Sequence, residues 1–227
     1  MSRRIPLPAV AAIALALVFN VPYAMLAATY DYPQILRRPA GEALARFAEG
    51  GPALVFYWYA FAIAALALAP LAVALTLTRE RLAARPGLAI GTGLAGVAAG
   101  VIQSTGLLRW VFAVPGLAAA HGHGDPAAAA DFALLNAYAG VAIGEHLGQL
   151  LTAAFAAQLA VLQWLEGNRR TAGLGLATAA AIALGTGEGL ALALGNDGSR
   201  FALATIAGFL GLTLWLIATG VTLLRRG

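Results

Sequence analysis

The sequence predicts an all-α membrane protein: one polytopic bundle of six transmembrane helices spanning 1–227, with both termini cytoplasmic. Three observations predict it. Of the 227 residues, 61% are apolar and 11% are charged, where soluble domains hold about 45–50% and about 25%. Six stretches are long and apolar enough for a helix to cross the hydrocarbon, which takes about 20 residues. The arginines gather at alternate ends of those stretches, as the positive-inside rule requires.

The spans follow in order. The first runs from about Ile5 to Ala28, the second from Pro52 to Thr78 and the third from Gly87 to Leu108. The fourth covers about Ala133 to Trp164, the fifth Ala172 to Leu194 and the sixth Phe201 to Leu224. The first begins with a basic pair but is longer than the apolar core of a signal peptide. Met25-Leu26-Ala27-Ala28 also offers no A-x-A cleavage site, so it is expected to be retained. The fourth exceeds what a bilayer requires, so it is expected to tilt or project. Nine arginines (Arg3, Arg4, Arg79, Arg81, Arg85, Arg169, Arg170, Arg225, Arg226) fall on one side with only Glu80 and Glu166. Arg37, Arg38, Arg46, Arg109 and Arg200 fall on the other with six acids. The arginine-rich side is therefore read as the cytoplasm and the membrane as a bacterial plasma membrane.

Several functions are excluded by composition. The chain has no cysteine, which removes disulfides, thiolate metal sites and thiol catalysis. All fourteen basic residues are arginines, so no lysine can form a Schiff base with a cofactor. The net charge of +4 does not indicate nucleic acid, because the arginines flank apolar runs instead of forming one basic face. No cofactor is expected, and the lipid bilayer is the partner the composition implies.

The inner loops are tight; the two longer ones face outward. In the first of these, Ala40, Ala43, Leu44, Phe47 and Ala48 share a helical face between Pro39 and Gly50-Gly51. That pattern predicts a short amphipathic helix lying on the outer surface. In the second, Pro115-Gly116 is expected to break the chain, leaving an alanine-rich loop with His121, His123 and Asp125. Those three could hold zinc or copper, but the glycines between them favour a solvated loop, and no metal is expected. Phe56, Tyr57, Trp58, Tyr59 and Phe61 resemble an interfacial aromatic belt. Glycines at four-residue spacing (Gly140, Gly144 and Gly148; Gly96 and Gly100; Gly185 and Gly189) predict close helix packing.

Ionisable groups inside spans carry the functional signal. Glu145, His146 and Glu188 lie at membrane depth, where an insertion scale sets a charge at about 2.5–3.5 kcal/mol. On an α-helix Tyr138, Glu145, Gln149 and Thr152 share a stripe, with His146 about 100° round. Asn20, Gln103, Arg109 and Glu188 fall in the same outer half by residue count. Four helices could thus bring polar groups to one depth, with Arg109 expected to approach one glutamate while the other is protonated or wet. A lone intramembrane histidine supports neither a bis-histidine haem nor the two histidines of H-E-x-x-H. Ser104 with His146 lacks the G-x-S-x-G turn of a hydrolase.

Three stretches resemble a bacterial family of multi-pass membrane proteins known only as a domain of unknown function. They are Tyr32-Pro33 with Ile35-Leu36-Arg37, Gly51 and Trp58-Tyr59; Leu108-Arg109-Trp110 with Val114-Pro115; and Asn136, Tyr138 to Val141 and Gly144 to Gly148. The resemblance reaches about residue 150. It implies a multi-pass fold and no particular activity, and it places Arg109, Glu145 and His146 in its most specific motifs. The functional expectation is an outward-facing polar site that binds or moves a small solute or protons, with no catalytic residue. The alternatives are a membrane-embedded enzyme acting on a lipid or quinone, or a structural or signalling partner without a ligand.

Overall fold

The structure is a computed structural model that describes residues 6–226. Six helical spans have the length and apolarity to cross a membrane: Leu7–Tyr30, Ala40–Thr76, Pro86–Gly122, Ala127–Leu165, Arg169–Ala193 and Ser199–Arg225. No strand occurs among the described residues. Several spans are compound. The second joins α2 (Ala40–Leu66) to α3 (Leu68–Thr76), and a short α4 (Arg79–Ala84) follows it. The third joins α5 (Pro86–Phe112) to α6 (Val114–Gly122). The fourth joins α7 (Ala127–Leu135) to α8 (Gly148–Leu165) through a π-helix, Asn136–Leu147. The fifth is α9 (Arg169–Gly185) with α10 (Gly187–Ala193), and the sixth is dominated by α11 (Ala202–Arg226).

The spans close into a ring in which neighbours in sequence are neighbours in space. α1 (Leu7–Tyr30) packs on α2, α2 on α5, α5 on α8, α8 on α9, α9 on α11, and α11 returns to α1. All six contribute to one apolar core, including Ala16, Leu71, Ala99, Phe155, Ile182 and Trp215. Close approach rests on small residues, as the glycine spacing predicts. A Cβ on Gly140, Gly144 or Gly148 would collide with Arg109, Gly106 or Gln103, so one glycine edge of the fourth span lies along α5.

A second core occupies the end expected to face outward and is aromatic. Trp58 and Trp110 stack with centroids 4.7 Å apart, and Tyr30, Phe47 and Phe132 meet Trp110 within 6 Å. This corrects three expectations. Trp58 and Phe61 are buried, so only Phe56 and Tyr59 stand outward as a belt would. The helix begun at Ala40 does not rest its apolar face on lipid. Ala43, Leu44 and Phe47 are buried against the bundle, and the Tyr30 hydroxyl donates to the Ala43 carbonyl at 2.8 Å. Its turn into the membrane is made at Gly51 (φ 58°, ψ −156°), a conformation reserved for glycine. Finally, Pro115 does not break the third span. The helix pauses at Ala113 and resumes with Pro115 in its first turn, where a missing N–H costs nothing.

The chain therefore stays helical to Gly122 and resumes at Ala127. His121 lies against Gly41, where an added Cβ would come within 3.2 Å of its ring. Among the described residues no group of three or more acidic or histidine side chains is placed to hold a metal.

Candidate functional site

The cluster at the end expected to face outward is assembled from three segments, the first more than a hundred residues before the other two. After α1 ends at Asp31 in a left-handed conformation, a single turn of 3-10 helix, Gln34–Arg37, crosses the top of the bundle. Ile35 of that turn is buried in the aromatic core and anchors it. Arg37 is thereby delivered between the fourth and fifth spans. Its Nη2 donates to Glu145 Oε2 at 2.5 Å and its Nε donates to Glu188 Oε1 at 2.9 Å. Burial works against the Arg37 charge, but Glu145 and then Glu188 outweigh it and hold the guanidinium above the usual arginine range. Burial, followed by the charge of Glu145, pushes the phenol of nearby Tyr32 above the ordinary tyrosine value.

The π-helix places the two neighbouring side chains of the fourth span on one partner. An i→i+5 spiral turns less per residue than an α-helix, so Glu145 and His146 diverge less than α-helical geometry implies. Both reach the fifth span. Glu145 meets Glu188 through Arg37, while His146 Nδ1 lies 3.0 Å from the Thr186 carbonyl. A carbonyl only accepts, so Nδ1 carries a proton and donates to it. Thr186 is the joint between α9 and α10, and Glu188 stands in the first turn beyond it.

Arg109 is not the partner of either glutamate, contrary to expectation. Its Nη1 donates to the Gly106 carbonyl at 2.5 Å and its Nη2 to Asn136 Oδ1 at 2.9 Å, with the guanidinium 5.1 Å from the Trp110 ring centre. Asn136 in turn donates to the Leu36 carbonyl at 3.3 Å. Arg109 thus supports the turn that carries Arg37, and the ion pair itself is made by the loop arginine. Two polar atoms of the cluster are buried without a hydrogen-bond partner, Glu145 Oε1 and Arg109 Nε.

The remaining expected residues separate from this cluster. Asn20 donates to the Ala16 carbonyl at 2.6 Å and to Thr213 Oγ1 at 3.0 Å on the sixth span. Gln103 donates to Thr152 Oγ1 at 2.5 Å. Gln103 and Thr213 share a cavity of about 30 Å³ walled by Phe19, Leu68 and Leu216. They form a polar layer in the middle of the bundle, deeper than the ion pairs. Among the described residues the Gln149 side chain has no hydrogen-bond partner, and Tyr138 is 67% exposed on the outside of the helix. The shared stripe fails because its first half is π-helical. Arg37, Tyr32, Asn136 and Thr186 escaped sequence reasoning as site residues, although a charge count of two glutamates against one arginine already called for another cation.

The opposite end, expected to face inward, is built separately. Arg81 grips Glu166 through Nε (2.6 Å) and Nη2 (2.9 Å) and also donates to the Leu75 carbonyl. Beside this pair lies a cavity of about 480 Å³, lined among others by Gln163, Thr219, Thr222 and Leu223.

Comparison with curated proteins and with solved structures finds no match for this chain. A family model described as a domain of unknown function (DUF4386) matches residues 10–220. That stretch takes in all six spans and every residue of the outer cluster, so the likeness does not stop at the fourth span, and the chain belongs to the DUF4386 family.

Proposed function

We propose that this multi-pass protein resides in a bacterial plasma membrane, with both ends of the given chain cytoplasmic, and uses its outer polar cluster to bind or move a small solute or protons. One observation carries the reading. A single guanidinium serves carboxylates from two different spans while Glu145 Oε1 stays buried and unpartnered. A buried carboxylate oxygen without a donor is costly, and a network that only pinned helices would gain nothing from it. An open acceptor among ionisable groups at the end of a bundle is where a ligand or proton would enter. Glu145 and Glu188 are the acceptors, Arg37 is the counter-charge, and His146 is held in one orientation by Thr186 beside them.

Infrared difference spectra between neutral and acidic pH test this. Wild-type protein should show a carboxylic-acid C=O band that disappears in Glu145→Gln or Glu188→Gln, with both variants still folded. Identical difference spectra in all three proteins would leave the cluster as a structural network only.

A further inference from the structure

The two arginines of the outer cluster are not equivalent. Arg109 lies within the third span and is 8% exposed, and its two Nη groups are engaged by Gly106 and Asn136. Arg37 stands on a loop turn with its side chain 30% exposed. Among the described residues, and apart from the carbonyl of its neighbour Leu36, its hydrogen-bond partners are the two glutamates. With Arg37 in place the four charged side chains sum to zero. Without it, Glu145 and Glu188 face the fixed Arg109 alone and one negative charge is uncompensated, a state a partly buried site tolerates poorly. The site therefore requires one further positive charge, and among the described residues the partly exposed side chain of Arg37 provides it.

We propose that Arg37 is a tethered stand-in for a diffusible ligand, and that the solute taken by this cluster is a small organic monocation bearing a guanidinium or amidinium group, admitted when Arg37 withdraws to water. The inference rests on the reading of the cluster as a ligand site and adds the ligand's class and its gate. Arg37 presents the side-on fork of Nε and Nη2, one N–H to each carboxylate. That fork is a property of planar guanidinium-like cations and is absent from a quaternary ammonium ion. A free guanidinium also has donors to spare for Glu145 Oε1, which Arg37 leaves empty. Withdrawal is local, because the ion pairs are the loop arginine's link to the fourth and fifth spans, while Ile35 keeps the turn anchored in the aromatic core.

The test uses the purified full chain, with methylguanidinium as probe and tetramethylammonium as control. Arg37→Ala should unfold at a lower temperature than wild type, and methylguanidinium should restore it saturably where tetramethylammonium does not. Adding Glu188→Gln to Arg37→Ala should restore stability without any probe and abolish the response, since the charges then balance. In wild-type protein, methylguanidinium should speed tryptic cleavage after Arg37, which remains measurable even if Arg37→Ala does not survive purification. Recovery of Arg37→Ala by mild acid but not by methylguanidinium would overturn the cation class and leave a proton site of Glu145, Glu188 and His146. Absence of any response to acid or cation, with cleavage after Arg37 unchanged, would overturn both readings.

Discussion

Gly140 shows how tightly a single position is bound to the cluster. A Cβ there would lie 2.5 Å from Arg109 Nη2 and 2.9 Å from Asn136 Oδ1, and both atoms belong to one hydrogen bond. Gly140→Ala must push the guanidinium away from Asn136, and an overpacked site of this kind loses about 1–3 kcal/mol. Thermal unfolding in detergent should show that loss. Gly173 lies in α9 with open space around its Cβ direction, so Gly173→Ala should leave stability unchanged or raise it by up to about 1 kcal/mol. Equal midpoints for the two variants would contradict the placement of Arg109. At this scale the acids were legible and their partner was not. Glu145 and Glu188 stand out because charge is rare among so many apolar residues. Arg37 sits in an ordinary polar loop, and only the path of the 3-10 turn across the bundle brings it within 3 Å of both. Arg109 looked like the natural partner because it is the basic residue nearest in depth, yet burial directs its donors to a carbonyl and an amide.

Among the elements, the outer helix from Ala40 and the π-helix depart most from their expected form. The periodicity of Ala40 to Ala48 marks an apolar face that holds for Ala43, Leu44 and Phe47 but not for the exposed Ala48, and periodicity cannot say what covers it. Aromatic side chains of α1, α2 and α5 cover it here, with Phe47 4% exposed. Phe47→Ala should therefore destabilise the protein by about 3–5 kcal/mol, as for a buried phenylalanine. A helix merely resting on lipid would show no such loss in detergent, so an unchanged unfolding midpoint would restore the surface reading. Gly51 tests the bend that follows. Its Cβ direction is open, so Gly51→Ala meets no neighbour and any cost is backbone strain of about 1–3 kcal/mol. A neutral Gly51→Ala would mean that the bend does not need its left-handed conformation. The π-helix had no sequence signature of its own. Gly140 and Gly144 permit it by letting α5 approach, but the same spacing fits an α-helix, so the shared stripe from Tyr138 to Gln149 could only be drawn with the wrong rotation.

At the scale of the whole molecule, polarity is layered across the ring. The ion cluster and aromatic core occupy one end, the Arg81–Glu166 pair and its cavity the other, and buried Leu71, Phe155 and Leu159 lie between. Span number and order were legible because twenty apolar residues leave little alternative to a helix in lipid. The ring closure of the first span against the sixth was not, since nothing in the sequence couples helices so far apart. Charge gives an expectation of which end faces the cytoplasm. By sequence, nine arginines flank the spans on one side of the expected topology against five on the other, and those five are accompanied by six acids. The expected bias recurs at all four segments of the arginine-rich side, so no single loop decides it. The absence of cysteine makes the orientation directly measurable, because any introduced thiol is the only one present. His123→Cys, exposed between the third and fourth spans, should react with a membrane-impermeant maleimide on intact cells. Ala83→Cys, exposed on α4, should react only after the cells are permeabilised. Neither substitution touches an arginine, so the topological signal under test is unaltered. The reverse labelling pattern would place Arg37, Glu145 and Glu188 at the cytoplasmic face, and the solute would then have to approach the cluster from inside.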